Sequence, residues 1–393
     1  MAIHGHTPEP SLLSLPAMLL LLLVFCAYVA AQTQEYLHPN ILDVTKEEWH
    51  QKYGKQHDMA FTGPLSFMHL PYAKCLEDAS QPFDIAILGL PFDTTTSYRP
   101  GARFGPRSIR AAAPGGGKAY TLAWGAGVYD FGARLVDCGD VPVTPMDNAK
   151  AIDQMEVAYS TLLARPVHGA TKSYTASMAK DGLEHPRIVT LGGDHTIVLP
   201  ILRSLHKVYG PVSVIHFDAH FDTADVGAVI GPERISHGSY FTIAAEENLM
   251  TNHSIHAGIR QKMGGKTMVE HDESVGFAVI SSEDMDDYGI DAVIQRIRQR
   301  VGTGPVYLSF DIDTIDPAMA PATGTPEAGG WTTREVKRIM RGLAGLNFVG
   351  VDMVEVAPAY DHAEITSFAA TSIILDFLMM MQADSPPASH VTV

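Results

Sequence analysis

The feature that most narrows the fold is a series of eight short strand-type runs: DIAILGL at 84–90, RLVDCGD at 134–140, RIVTLGG at 187–193, VSVIHFD at 212–218, SIHAGI at 254–259, FAVIS at 277–281, VYLSFDI at 306–312 and FVGVDMV at 348–354. Several are nearly continuous in apolar residues, the mark of strands covered on both faces, and most are separated by stretches long enough for a helix. Helical character falls on Asn148–Leu163, Ile197–Tyr209, Asp284–Val301, Thr332–Leu346 and Ile365–Met381. Thr332 or Thr333 is placed to cap the fourth, with Glu335 in its first turn, where the helix dipole favours an anion. The pattern predicts an α/β fold, a parallel sheet wrapped in helices. No repeat or linker divides residues 82–384, which read as one domain of about 300 residues, near the limit of a single core. Residues 32–81 read as an N-terminal extension and 385–393 as a disordered tail.

The N-terminus stands apart. Residues 17–31, AMLLLLLVFCAYVAA, carry no charge and end on small residues ahead of Gln32, the outline of a secretory signal peptide covering 1–31. The segment before them holds Glu9 and no lysine or arginine, so an uncleaved anchor is the alternative, although the run is short for a span of roughly 20 residues. A secreted chain with no stable membrane association after cleavage is expected. Cys75 and Cys138 are then the sole cysteines left, with pairing open, and Asn252-His253-Ser254 matches a glycosylation acceptor. The balance of 28 Lys+Arg against 44 Asp+Glu, a net charge of -16, disfavours any general role on nucleic acid and suits a small cationic substrate.

The chemistry sits at the strand ends. Side chains two apart on an extended chain point the same way, so Asp218, His220 and Asp222 can converge just past VSVIHFD. Asp311 and Asp313 repeat the device in SFDIDTIDP, and LGGDHT supplies His195 after two glycines that let the backbone turn. In parallel α/β sheets ligands gather outside the carboxyl ends of the strands. Two imidazoles and four carboxylates in one pocket would repel unless cations neutralised them, so His195, Asp218, His220, Asp222, Asp311 and Asp313 are the candidate ligands of two divalent metals. Oxygen-rich ligation with no cysteine favours Mn²⁺. Each of these residues taken alone would be a turn, cap or satisfied polar group; jointly they are not. His216 is assigned to packing, and Asp194, Asp225 and Asp316 to turns or support of the ligands.

GGDH at 192–195, DAHFD at 218–222 and SFDIDTIDP at 309–317 resemble the three signature blocks of the ureohydrolase family of arginases and agmatinases. The match runs in order from about Phe83 to Leu378, and RPGARFGP at 99–106, the loop around 324–330 and VDMVEVAPAYD at 351–361 are similar to the agmatinase and guanidinobutyrase branch. The resemblance implies a three-layer α/β/α sandwich with a mainly parallel eight-stranded sheet, two Mn²⁺ per subunit and a homo-oligomer, trimer or hexamer. It implies that His195 binds one ion with Asp222 and a bridging Asp218, and His220 the other with Asp313 and Asp311, two of the aspartates spanning both ions. It also makes Asp222, His237 of SHGSYF and Glu355 of MVEVAP the catalytic residues, with His237 as proton shuttle and Glu355 pairing with the substrate guanidinium.

The expected reaction is hydrolysis of a small linear guanidino compound, foremost agmatine, to urea and putrescine, a step of polyamine metabolism. 4-Guanidinobutyrate is the alternative, with Arg99, Arg103 or Arg234 as partner for its carboxylate; a secreted metal-binding protein without turnover, or a hydrolase of a formimino or acyl-amine group, ranks lower. Phe221 stands where a smaller or polar residue is expected and could narrow the pocket.

Overall fold

The computed structural model describes residues 16, 22–24, 64–113, 119–169, 178–227, 229 and 231–388. The chain separates into two units, Met1–His57 and Asp58–Val393. In the first only residues 16 and 22–24 are described, as helix. The signal-peptide reading and the end of the tail lie outside the described residues, among which no helix is long and apolar enough to cross a membrane.

All eight expected strands form in the second unit: β1 Ile85–Leu90, β2 Leu135–Asp140, β3 Arg187–Gly192, β4 Ser213–Phe217, β5 Ser254–Ile259, β6 Phe277–Ser281, β7 Val306–Phe310 and β8 Phe348–Met353. They make one sheet in the order β2-β1-β3-β8-β7-β4-β5-β6, and every pairing is parallel. The helices are α1 Gly105–Ala112, α2 Asn148–Leu163, α3 Val198–Tyr209, α4 Tyr240–Glu246, α5 Lys266–Val275, α6 Asp284–Tyr288, α7 Ile290–Val301, α8 Thr333–Leu343 and α9 Ile365–Met380. Strand side chains alternate between two cores: Ile85 and Ile87 enter one, Ala86, Leu88 and Leu90 the other. The first core lies under α1, α7, α8 and α9, which pack on one another; the second lies under α2, α3 and α4. The result is a three-layer α/β/α sandwich, and strands buried on both faces explain their continuous apolar runs.

Thr332 caps α8 through a reciprocal pair with Glu335, as the sequence suggests. The single helix expected over Asp284–Val301 is broken at Gly289, whose φ of +83° no helix accommodates.

Ordered packing also reaches upstream of residue 82. Phe67 is fully buried, and its N–H donates to Asp137 of β2 at 2.7 Å. The same carboxylate is gripped by Arg110 of α1 through Nε at 2.8 Å and Nη2 at 3.0 Å. Cys75 and Cys138 are joined in a disulfide that closes a loop with a sequence separation of 63. Loop closure of this size is worth about 2–4 kcal/mol. Replacing both cysteines by alanine should lower the urea midpoint accordingly, and an unchanged midpoint would show that the bond does no more than follow the packing.

Candidate active site

β3, β8, β7 and β4 are neighbours in the middle of the sheet, and because all are parallel their carboxyl ends open on one edge. Each end delivers part of one site. After β3, Gly193 passes so close to Phe92 that a Cβ there would fall 1.7 Å from its carbonyl oxygen, so only glycine lets the next residues turn inward. Asp194 caps the turn by accepting from Thr196 N–H, and its other oxygen takes the Thr95 hydroxyl at 2.6 Å. His195, 1% exposed, then points into the site. Beyond β4 come Asp218, His220 and Asp222; beyond β7, Asp311 accepts from Asp313 N–H at 2.8 Å and orders both carboxylates. Beyond β8, Glu355 donates its N–H to Gly193 O. Asp222 and Glu355 both hold left-handed backbone, φ +58° and +60°, a local strain that the surrounding contacts maintain.

The structure brings all six expected ligand residues together. His195 Nδ1 lies 3.1 Å from Asp218 Oδ2, 3.1 Å from Asp222 Oδ2 and 3.3 Å from Asp311 Oδ2. His220 Nδ1 lies 3.1 Å from both Asp218 Oδ1 and Asp313 Oδ2. Asp218 thus offers one oxygen to each cluster, and Asp311, expected beside His220, lies against His195. His195 Nδ1 and Asp218 Oδ2 are buried without a hydrogen bond of good geometry. A donor set this dense in carboxylates, with unspent lone pairs, fits two divalent cations.

Residues not singled out in the sequence fix the His195 tautomer. The Ser309 hydroxyl donates to Asp352 Oδ1 at 3.0 Å, so its oxygen accepts from His195 Nε2–H at 2.7 Å and Nδ1 keeps its lone pair for the site. Tyr307 donates to the other oxygen of Asp352. His216 is more than packing: its Nε2 lies 3.0 Å from Asp218 Oδ2. Strand parity is the missed signal, since residues 216 and 218 fall on one face.

Protons and cations compete for these atoms. Burial opposes charge on the imidazoles, yet Asp218, Asp222 and Asp311 hold His195 well above its usual range, and Asp313 and Asp218 push His220 up to about 12. Burial, with neighbouring carboxylates, raises Asp311 well above the usual range and Asp313 to about 6. His195, His220 and Asp311, held well above their usual ranges, keep protons at neutral pH, so cation uptake must expel them and becomes more favourable as pH rises. Calorimetric titration with Mn²⁺ in buffers of different ionisation enthalpy should show proton release and tighter binding at pH 8.5 than at 6.5; a pH-independent affinity would contradict these assignments.

Glu355, 1% exposed, accepts from His195 N–H with Oε1 at 2.9 Å, and the same oxygen lies 3.1 Å from His237 Nδ1. Oε2 has no hydrogen-bond partner. Ser97 N–H donates to His237 Nε2 at 3.0 Å, which places the neutral ring's hydrogen on Nδ1, toward Glu355. Burial resists its protonation, while Glu355, Asp222 and Asp194 favour it and carry the ring up to about 9. The backbone donor pulls against that charge and sets the tautomer.

His237, His220, Asp222, Asp311 and Thr325 line a cavity of about 350 Å³ whose walls also include Phe221 and Asp225. Among the described residues no lysine or arginine lines it. The three arginines considered for an anionic substrate are engaged elsewhere: Arg103 with Asp93, Arg234 with Glu246, and Arg99 over the rings of Tyr98 and Tyr360. Phe221 is 3% exposed and packs its ring 5.5 Å from that of His256, so it is wall rather than obstruction. Asp316 accepts N–H groups of Ala318, Gly329 and Gly330, a loop clamp, and Asp225 closes a turn on Gly227.

The model of the arginase family matches residues 83–380. A Schizosaccharomyces pombe protein named Putative agmatinase 1 is 51% identical over 337 residues, 83% of this chain and 84% of that protein. The guanidinobutyrase of Pseudomonas aeruginosa is 37% identical over 333 residues, 84% of this chain and 97% of its own. Among solved structures, proclavaminate amidino hydrolase from Streptomyces clavuligerus superposes with a TM-score of 0.71 at 33% identity, over 82% of this chain and 99% of that one.

Proposed function

The chain belongs to the arginase family, and from that premise we propose that it is a binuclear manganese hydrolase that cleaves agmatine to urea and putrescine. The observation that carries the substrate is the cavity: acidic and histidine side chains line it, with no lysine or arginine among its described residues to meet a carboxylate, so a guanidino compound ending in an ammonium group fits and 4-guanidinobutyrate fits poorly. The 51% identical relative's name agrees. His195, Asp218, Asp222 and Asp311 would hold one ion, and His220, Asp313 and the shared Asp218 and Asp311 the other. Such ions, when bound, supply Lewis-acid charge and bring the pKa of water toward neutrality; oxygen ligands with imidazole and no thiolate favour manganese.

The chain's own groups do the rest. Glu355 Oε2, buried and unpartnered, accepts N–H groups of the guanidinium in charge-assisted bonds. Asp222 takes the proton of the attacking water and returns it to the leaving amine. His237, partly exposed beside Ser97, exchanges protons with solvent. Water adds to the guanidinium carbon, the C–N bond to the alkyl amine breaks, and urea and the amine leave. Urea release from agmatine, 4-guanidinobutyrate and arginine tests this: agmatine should give the highest kcat/KM, and a preference for 4-guanidinobutyrate would overturn the substrate assignment.

We also propose a secretory route and a trimeric or hexameric assembly. The uncharged run at 17–31 and the disulfide Cys75–Cys138, a bond that persists in oxidising compartments, support the route. N-terminal sequencing and light scattering of the mature protein test both.

A further inference from the structure

Asp218 is backed, inside the apolar layer, by a line of polar groups. His216 Nδ1 lies 2.7 Å from His256 Nδ1, His256 Nε2 lies 3.0 Å from Asp272 Oδ1, and the Thr223 hydroxyl donates to the same oxygen at 2.7 Å. His216, His256 and Asp272 are fully buried, and the His256 ring stacks on Phe277 at 3.8 Å. Polar groups this deep are kept only where each hydrogen has a place.

Two neutral rings bring two ring hydrogens to three contacts. A carboxylate only accepts, so His256 Nε2–H donates to Asp272 and His256 Nδ1 is left as an acceptor. His216 Nδ1–H must then donate to it, and His216 Nε2 is left with a lone pair. The Tyr240 hydroxyl, 3.4 Å away, is placed to donate to that nitrogen, and Asp218 Oδ2, 3.0 Å away, receives no hydrogen bond. The opposite tautomer would put a hydrogen of His216 on Asp218 Oδ2, in competition with a cation.

We propose that Asp272 and His256 are positioning residues which, acting through His216, lock its tautomer so that no His216 N–H occupies Asp218 Oδ2 and its lone pairs stay open to the cations. The inference rests on the cation site proposed above. It gives a buried role to α5, which otherwise presents a mostly exposed surface and from which only Asp272 is buried.

The test is Mn²⁺ titration of the full chain, with the spin-coupled signal of the manganese pair followed by electron paramagnetic resonance. Asp272→Leu should weaken binding about tenfold or more, the usual effect of losing a group behind a metal ligand, and diminish the coupled signal, with KM for the guanidino substrate unchanged at saturating Mn²⁺. Asp272→Asn, whose amide oxygen can still accept from His256 and Thr223, should bind within about threefold of the native chain, well inside that range. If Asp272→Leu does not fold, His256→Phe, which keeps the stacking on Phe277, is expected to show the same loss. A folded Asp272→Leu or His256→Phe with native affinity, or an Asp272→Asn as impaired as Asp272→Leu, overturns the proposal. A native chain that binds no Mn²⁺ contradicts the hydrolase reading instead.

Discussion

Asp222→Asn is expected to fold normally and to lose at least about a hundredfold in kcat, the scale set by a positioned acid–base group. Folding should survive because asparagine matches aspartate in shape and tolerates the left-handed backbone at φ +58° better than most residues. Activity should not, because Oδ2 lies 3.1 Å from His195 Nδ1 and an amide there loses both the charge that holds a cation and the basicity that takes a proton. Circular dichroism and steady-state urea release at saturating Mn²⁺ separate these effects. Near-native kcat would remove Asp222 from the chemistry.

Glu355→Gln should act on capture. Oε1 is occupied by His195 N–H and His237, and Oε2 is the buried oxygen left for a cation. Neutralising the carboxylate replaces a charge-assisted pair with a neutral one, a loss of about 1.5–3 kcal/mol, or roughly ten- to a hundredfold in kcat/KM, seen mainly as a rise in KM. The pocket for His237 should persist, since glutamine Oε1 can still accept from its Nδ1–H. An unchanged KM would place guanidinium binding elsewhere.

The sheet was legible because strands buried on both faces are apolar almost without interruption, and each of the eight runs became a strand with ends shifted by no more than a few residues. The overlooked helices fail that logic in different ways. α1 opens on Gly-Pro and is only eight residues long, α4 (YFTIAAE) is buried along most of its length and shows no polar face, and α5 is mostly exposed, with no fully buried apolar residue. The grouping of the candidate ligands was suggested by spacing, although the chain bends past β4 and holds Asp222 in left-handed backbone, so the strand parity that suggested it does not itself bring Asp218, His220 and Asp222 together. Which strands stand together was not: β3 and β4 follow one another in sequence, yet β8 and β7 lie between them. That insertion brings Ser309 onto His195 with Asp352 behind it, contacts that no local pattern announces. His216 was within reach of the parity argument, but its partner His256 sits on a neighbouring strand 40 residues away.

The most direct test is the metal content of active, dialysed protein, measured by mass spectrometry together with urea release. Two divalent ions per chain, with activity lost on chelation and restored by Mn²⁺, are expected. Full urea release by protein carrying no bound divalent ion would contradict the account.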